Sequence, residues 1–477
     1  MREKKRLDRK TKSVMRSTAA VIETLVLSVV YYIAWRLLYA ERYFLYLFEF
    51  RGKYVLAGVY AVLAVLFINN MDGFQVGNLR RLDLALAQWI GMIITNFITY
   101  FQLCLIANGM ISPWPMLMIT AIDVVICVAC VFLFARIYNR LYAPYNMIMI
   151  YGNDRAVTMK IKMDKRREKY RVDKLMAANQ GFEAVCREIV KYDAVVINDV
   201  QAQMRNDILK FCYKHELRTY VIPKVSDLII RESSPVTALD TPMLVVNGNG
   251  LSIEQRFLKR AMDILISLIG TIVASPIMAI VAIAIKCEDG GPVFFKQKRV
   301  TLGGREFNTL KFRSMIVNAE EQTGAVLAAE NDSRITKVGR FIRATRLDEI
   351  PQLLNILKGD MSVVGPRPER KVFIEEYCKE MPEFAYRTKV KAGLTGYAQI
   401  YGKYNTSPYD KLRLDMMYIS NYSLLLDIKL ILTTVRILFS KESTEGIDVA
   451  QENQKKAEDL LEQLHNEQED QLVGAGK

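Results

Sequence analysis

Two adjacent carboxylates, Asp348 and Glu349, open the segment "RLDEIPQLLNILKGDMSVVGPRPE", residues 346–369. Pro351 follows at once, then an apolar run, a Lys-Gly-Asp turn and the rigid Gly365-Pro366-Arg367-Pro368. Neighbouring acids on a helix point about 100° apart, so they need not share one role. One can serve as nucleophile or base while the other ligates a hard cation such as Mg²⁺, which prefers oxygen ligands and bridges phosphates. The competing reading is a helix start, with both acids favouring the dipole and Pro351 in the first turn. Composition alone favours that reading. Both histidines, His215 and His465, lie outside the segment. Nucleophilic or acid–base chemistry here must therefore use carboxylates, Lys, Tyr or hydroxyls.

Cations gather around the pair. "GGPVFFKQKRVTLGGREFNTLKFRSM" alternates apolar and cationic residues with Gly-Gly turns and reads as a hairpin presenting Lys298, Arg299, Lys311 and Arg313. "ENDSRITKVGRFIRATRLDEIPQLLNIL" adds Arg334, Lys337, Arg340, Arg343 and Arg346 around Asp332, Asp348 and Glu349. A basic cluster is more commonly a solvated or membrane-contacting face. One that surrounds an acidic pair ahead of a proline-rich turn suits a phosphate-bearing substrate.

The chain around this region belongs in a membrane. Its 477 residues are 51% hydrophobic with a net charge of +14. Long uncharged apolar runs set it apart from a soluble nucleic-acid binder, so no nucleic-acid partner is expected. Residues 1–16 form a basic arm, and residues 17–140 hold four apolar runs near the length of a spanning helix. Lys and Arg are dense in the arm, at Arg80 and Arg81, and after the fourth run, whereas "NGMISPWP" is uncharged. The positive-inside rule then places the N-terminus and everything after Tyr138 in the cytoplasm. Glu23 and Arg36 lie in the first run, and Arg36 is near enough to its end to snorkel. The seven cysteines are scattered without zinc or disulfide spacing.

Residues 141–250 read as a small Rossmann-like α/β module. Strands are expected in "YNMIMIY", "YDAVVIND" and "RTYVIPKV", alternating with helices. Of a dinucleotide fingerprint only Gly152 remains, followed by Asn153 and Asp154, and an acid there repels phosphate. A structural or regulatory module is the expectation.

The composition changes again after "VNGNG". The apolar run over residues 257–286 is long enough to span, but Ser275-Pro276 sits mid-run, where a proline removes a helical hydrogen bond. Both flanks are basic. A re-entrant hairpin with both ends at the cytoplasmic face is expected, broken at Ser275 and Pro276. "ISNYSLLLDIKLILTTVRILFSK", residues 419–441, reads as an interfacial helix or a buried core helix. The tail, residues 442–477, is polar and carries no assigned function.

From about Phe257 to Ser440 the chain resembles the bacterial sugar transferases of the monotopic phosphoglycosyl transferase superfamily. The matching pieces are "KRAMD", the membrane Ser-Pro, "GPVFFKQKRVTLGGREFNTLKFRSM", "RLDEIPQLLNILKGDMSVVGPRPE" and "KVKAGLTGYAQIYG". Four preceding spans and a degenerate α/β module resemble the superfamily's long form. The resemblance implies a mixed α/β catalytic domain over residues 251–441, in the cytoplasmic membrane of a bacterium. It implies transfer of a sugar-1-phosphate from a UDP-sugar to undecaprenyl phosphate, which initiates exopolysaccharide, capsule or O-antigen assembly. The family's acidic dyad falls on Asp348 as nucleophile and Glu349 as Mg²⁺ ligand. Lys311, Arg313, Arg343 and Arg367 would bind phosphate oxygens, and Gly365, Pro366, Arg367 and Pro368 would form a turn against the nucleotide. Resemblance to the long form also implies a homodimer. A catalytically dead scaffold or sensor of the same architecture would lack one of the dyad acids, and both are present.

Overall fold

The computed structural model describes residues 2–44, 51–167, 169–248, 250–317, 334–402 and 406–438. Asp332 and the tail from Glu442 lie outside the described residues. Contact density divides the chain at Ile222 and Pro223 into two units.

The first unit opens with four long helices: α1 (Arg2–Trp35), α2 (Gly52–Asn70), α3 (Arg81–Ile106) and α4 (Trp114–Leu141). The expected basic arm is helical and continues into α1, which ends in a π-helical turn, Arg36–Ala40. Each helix is long and apolar enough to cross a membrane. One face of each packs inward, with Tyr31, Tyr60, Met92 and Ile119 in the core, while Val62, Leu66, Phe97, Val125 and Phe132 are exposed as a lipid-facing surface requires. Polar side chains cross-link the interior. The Tyr60 hydroxyl sits 2.9 Å from Asn96 Oδ1 and 3.0 Å from Asp123 Oδ2. Gln88 donates to Glu23 at 3.0 Å, so Glu23 faces the bundle interior. Arg16 donates to Val76 O at 2.9 Å, Asn78 Oδ1 at 3.2 Å and the Tyr138 hydroxyl at 3.3 Å. These contacts bring the basic N-terminal stretch, the loop after α2 and the end of α4 to one side of the bundle, in line with the charge pattern.

The same unit ends in a parallel sheet of order β2-β1-β3-β4, made of β1 (Tyr145–Tyr151), β2 (Tyr170–Ala177), β3 (Ala194–Asn198) and β4 (Arg218–Val221). Helices α5 (Arg155–Asp164), α6 (Phe182–Ile189) and α7 (Ala202–Lys214) make the crossovers. Strand β3 is buried throughout, as a central strand covered on both faces should be. Gly152, at the end of β1, is required by packing. A Cβ there would lie 2.4 Å from the carbonyl oxygen of Asp199, which itself adopts φ 48°.

The second unit begins with α8 (Val225–Arg231) and an exposed hairpin of β5 (Ser234–Ala238) and β6 (Thr241–Val245). Val225 and Leu228 join a core with Ile356, Phe384, Leu412 and Met416. The apolar run forms α9 (Ile253–Asp289), a helix of 37 residues, with Ser252 as N-cap. The expected break at Ser275-Pro276 takes a different form: the helix continues through it. The reason is local. Pro276 has no N–H to offer the carbonyl four residues back, Ile272 O. The Ser275 hydroxyl donates to that same oxygen at 2.8 Å, so the backbone stays satisfied in an apolar surrounding.

The first half of α9 is tied to the unit by polar contacts. Lys259 reaches Asp427 at 2.6 Å and the Tyr418 hydroxyl at 3.0 Å. Asp263 accepts from Ser362 Oγ and Val363 N, both at 2.9 Å. The second half packs Val281 and Ile285 against Phe312 and Ile342. Between them Ile272, Val273 and Ile280 are exposed.

The remaining elements build the site. Strands β7 (Phe294–Val300) and β8 (Glu306–Phe312) form the expected antiparallel hairpin. Gly303 and Gly304 turn it at φ 67° and 80°, a region that other residues enter at a cost. Helices α10 (Lys337–Ala344) and α11 (Gln352–Lys358) flank the acidic pair. Strands β9 (Ser362–Val364) and β10 (Gly393–Thr395) pair in parallel. Helices α12 (Lys371–Glu380), α13 (Pro408–Ser420) and α14 (Leu424–Leu438) complete the unit. The segment read as one interfacial helix from Ile419 is thus divided between α13 and α14. Helix α14 buries Leu430 and Asp427 and exposes Leu425 and Val435.

Candidate active site

Arg346 sets the geometry. It adopts φ 59° between α10 and a single 3₁₀ turn, Leu347–Glu349. A non-glycine residue in this region is uncommon, and here it reverses the chain directly before the acids. Asp348 and Glu349 therefore lie on a tight turn rather than in a regular helix. Helix α11, which follows, is fixed at its middle and at its C-terminal end. The Asn355 side chain accepts from Leu310 N at 2.9 Å and donates to Asn308 O at 2.8 Å, extending the edge of β8 like a backbone amide. Arg260 donates to the last carbonyls of α11, Ile356 O at 2.6 Å and Leu357 O at 2.7 Å.

This arrangement brings Lys311, on β8, to Glu349 Oε1 at 2.9 Å. Arg367, in the Gly-Pro-Arg-Pro turn, reaches the same oxygen at 3.2 Å. Asp348 makes no hydrogen bond or ion pair among the described residues. The two acids are consequently pushed apart. Burial raises the Glu349 carboxyl, but Arg367 and Lys311 outweigh it and hold the group at about 2. Burial raises Asp348 above the usual carboxylate range; Lys311 opposes the rise and anionic Glu349 adds to it, with Arg343 and Arg346 also lowering it. Two titratable neighbours driven in opposite directions are a signature of a site with divided roles.

The Gly-Pro-Arg-Pro turn is held from behind. Gly365 N donates to Thr395 O at 2.8 Å, and Gly393 N to Pro366 O at 2.9 Å. A Cβ on Gly393 would lie 2.1 Å from Gly365 N. Arg299 donates to Pro368 O at 3.3 Å. Arg387 donates to Arg367 O at 3.0 Å and pairs with Asp415 at 2.8 Å, both side chains almost fully buried. Burial pushes Asp415 up to about 6 against the pull of Arg387. Sequence reading did not find Arg387, Asp415 or Asn355. Their partners are far along the chain, and no local pattern marks them.

Arg313 stands apart from the other expected phosphate ligands. Its guanidinium pairs with Asp289, and its Nε donates to Pro292 O at 2.7 Å. Arg343 is half-buried and close enough to influence Asp348. Lys298 and Arg340 are exposed.

Residues 254–441 match the family described as bacterial sugar transferase. The chain is 37% identical over 270 residues to an Aeromonas hydrophila UDP-N-acetylgalactosamine-undecaprenyl-phosphate N-acetylgalactosaminephosphotransferase, covering 53% of this chain and 60% of that one. It is 40% identical over 220 residues to the Escherichia coli (strain K12) UDP-glucose:undecaprenyl-phosphate glucose-1-phosphate transferase, 45% of this chain and 47% of that one. A Bacillus subtilis relative named for undecaprenyl-phosphate N-acetylgalactosaminyl 1-phosphate transfer is 51% identical over 130 residues, 27% of this chain and 72% of its own. The chain belongs to the bacterial sugar transferases of the phosphoglycosyl transferase superfamily, and carries several membrane helices ahead of the family's domain. It is a multi-pass membrane protein with its catalytic domain on the cytoplasmic face.

Proposed function

We propose that the protein transfers a sugar-1-phosphate from a UDP-sugar to a polyprenyl phosphate, of undecaprenyl type, through a covalent intermediate on Asp348. One observation carries this reading: a half-buried carboxylate, with no bonded partner among the described residues, adjoins a second one neutralised by Lys311 and Arg367. An Asp348 carboxylate oxygen attacks the phosphorus that bears the sugar. The new O–P bond forms as the bond from that phosphorus to the bridging oxygen breaks, and UMP leaves. An oxygen of the lipid phosphate then attacks the same phosphorus. The acyl-phosphate bond breaks, Asp348 is regenerated, and the sugar remains on a lipid diphosphate.

Lys311 and Arg367 would bind diphosphate oxygens as the substrate enters, with Arg343 beside Asp348. Arg313 serves the fold instead. Among the described residues no group of three His, Cys, Asp or Glu can hold a metal. That suits Mg²⁺, which takes one or two carboxylates and draws its other ligands from substrate phosphates and water. Both cation contacts of Glu349 fall on Oε1, and Glu349 would be the carboxylate that holds Mg²⁺. Mg²⁺, when bound, neutralises charge on the diphosphate.

We read α9 as a helix that bends at Ser275-Pro276 without losing its helical backbone, so that it enters the membrane and returns to the same face. Lys259 and Asp263 in its first half, and Val281, Ile285 and Asp289 in its second, all grip the same unit, while the exposed apolar stretch lies between. Such an anchor holds Asp348 where a soluble nucleotide sugar and a lipid phosphate meet. A homodimer is proposed by likeness to the long form.

Membranes incubated with radiolabelled UDP-sugars, undecaprenyl phosphate and Mg²⁺ should transfer label to lipid and release UMP, and chelation should stop it. Absence of turnover with every UDP-sugar overturns the reading.

A further inference from the structure

Helix α9 ends on two acids, Glu288 and Asp289, where the dipole favours cations. Both spend their charge elsewhere. Glu288 Oε1 accepts from Lys337 N at 2.7 Å and Val338 N at 3.3 Å. These are amides that the start of α10 leaves without intrahelical partners. The Thr336 hydroxyl accepts from a third, Gly339 N, at 2.9 Å. The helix so capped carries Arg343 and leads through Arg346 into Asp348. Asp289 pairs with the Arg313 guanidinium through both of its oxygens. Arg313 N in turn donates to Val293 O at 2.9 Å, and Arg313 lies two residues beyond Lys311. Gly291 lets the guanidinium close in, since a Cβ there would lie 2.8 Å from it. The last turn of the membrane helix therefore holds both arms of the site, one bearing Arg343 and Asp348, the other Lys311.

We propose that Glu288 and Asp289 are positioning residues that couple the seating of α9 to the geometry of the acidic site. Glu288 acts through the start of α10, and Asp289 acts through Arg313. The activity readout rests on the sugar-phosphate transfer proposed above; the exchange readout does not.

The test uses the full chain in lipid nanodiscs. Glu288→Ala should lower kcat about 10- to 100-fold with KM for the UDP-sugar nearly unchanged, as misplacement of reacting groups does. Glu288→Gln keeps an acceptor oxygen and should restore most of it. Asp289→Ala and Arg313→Ala should each lower kcat, and the double variant should be no worse than the poorer single one. Without substrate, amides 337–339 should exchange with deuterium faster in Glu288→Ala than in the wild type or Glu288→Gln. Wild-type exchange in Glu288→Ala overturns the proposal. So does wild-type kcat in Glu288→Ala and Asp289→Ala, or a loss that tracks melting temperature without rescue by Gln. If the wild type turns over no UDP-sugar, the transfer reading falls and the exchange comparison still decides the coupling.

Discussion

Lys311 Nζ and Glu349 Oε1 lie 2.9 Å apart, and that contact leaves the neighbouring Asp348 without a cation bonded to it among the described residues. Lys311 still lowers Asp348 through space, against the effect of burial. Its removal therefore has a definite sign. In Lys311→Met the folded Asp348 pKa rises further, and a nucleophile must be ionised to react. The acid limb of kcat/KM should move to higher pH, while Lys311→Arg keeps the limb near its original place. Initial rates over about pH 5 to 8 check this. A limb that moves down, or stays fixed in Lys311→Met, contradicts it.

Ser275 and Pro276 should behave as a pair. Ser275→Ala leaves Ile272 O without its donor, costing about 1–3 kcal/mol for a carbonyl left unsatisfied in a lipid surrounding. Pro276→Ala supplies a backbone N–H to the same oxygen. The double variant should thus be more stable than Ser275→Ala alone. Thermal unfolding in nanodiscs measures the cycle, and additive effects would remove the assigned role of the hydroxyl.

Gly393→Ala should disorder the Gly-Pro-Arg-Pro turn. Its Cβ would meet Gly365 N at 2.1 Å, a backbone atom that cannot step aside without moving β9 from β10. A loss of about 1–3 kcal/mol is expected from overpacking, together with a higher KM for the UDP-sugar. An unchanged KM would separate this turn from nucleotide binding.

Asp415→Ala strands Arg387 in the interior behind the Gly-Pro-Arg-Pro turn. Removing one member of a buried ion pair costs about 3–5 kcal/mol. The melting temperature should fall well below that of Lys298→Ala, which alters an exposed residue. Equal melting temperatures would contradict the buried pairing.

Much of this site is legible in the sequence because its signals are local. The Asp348–Glu349 adjacency, the alternation over residues 294–312 and the Gly303–Gly304 turn each sit within one short window. What was missed depends on distant partners. Arg313 carries the same charge pattern as Lys311, yet Asp289, 24 residues away, takes it out of the site. Arg387 and Asp415 are separated by 28 residues. Strand β2 escaped notice because it is a sheet edge, with exposed Arg171, Asp173 and Lys174 breaking the apolar run. At Ser275-Pro276 the helix continues where a break was expected, because the serine hydroxyl repairs the lost hydrogen bond on the spot.

The covalent role of Asp348 is tested most directly by mass spectrometry of the protein incubated with UDP-sugar and Mg²⁺ without lipid acceptor. The expected result is release of UMP matched by a sugar-phosphate adduct on the peptide containing Asp348, discharged when undecaprenyl phosphate is added and absent from Asp348→Asn. UMP release that requires the lipid from the first turnover, with no adduct on Asp348, would contradict it.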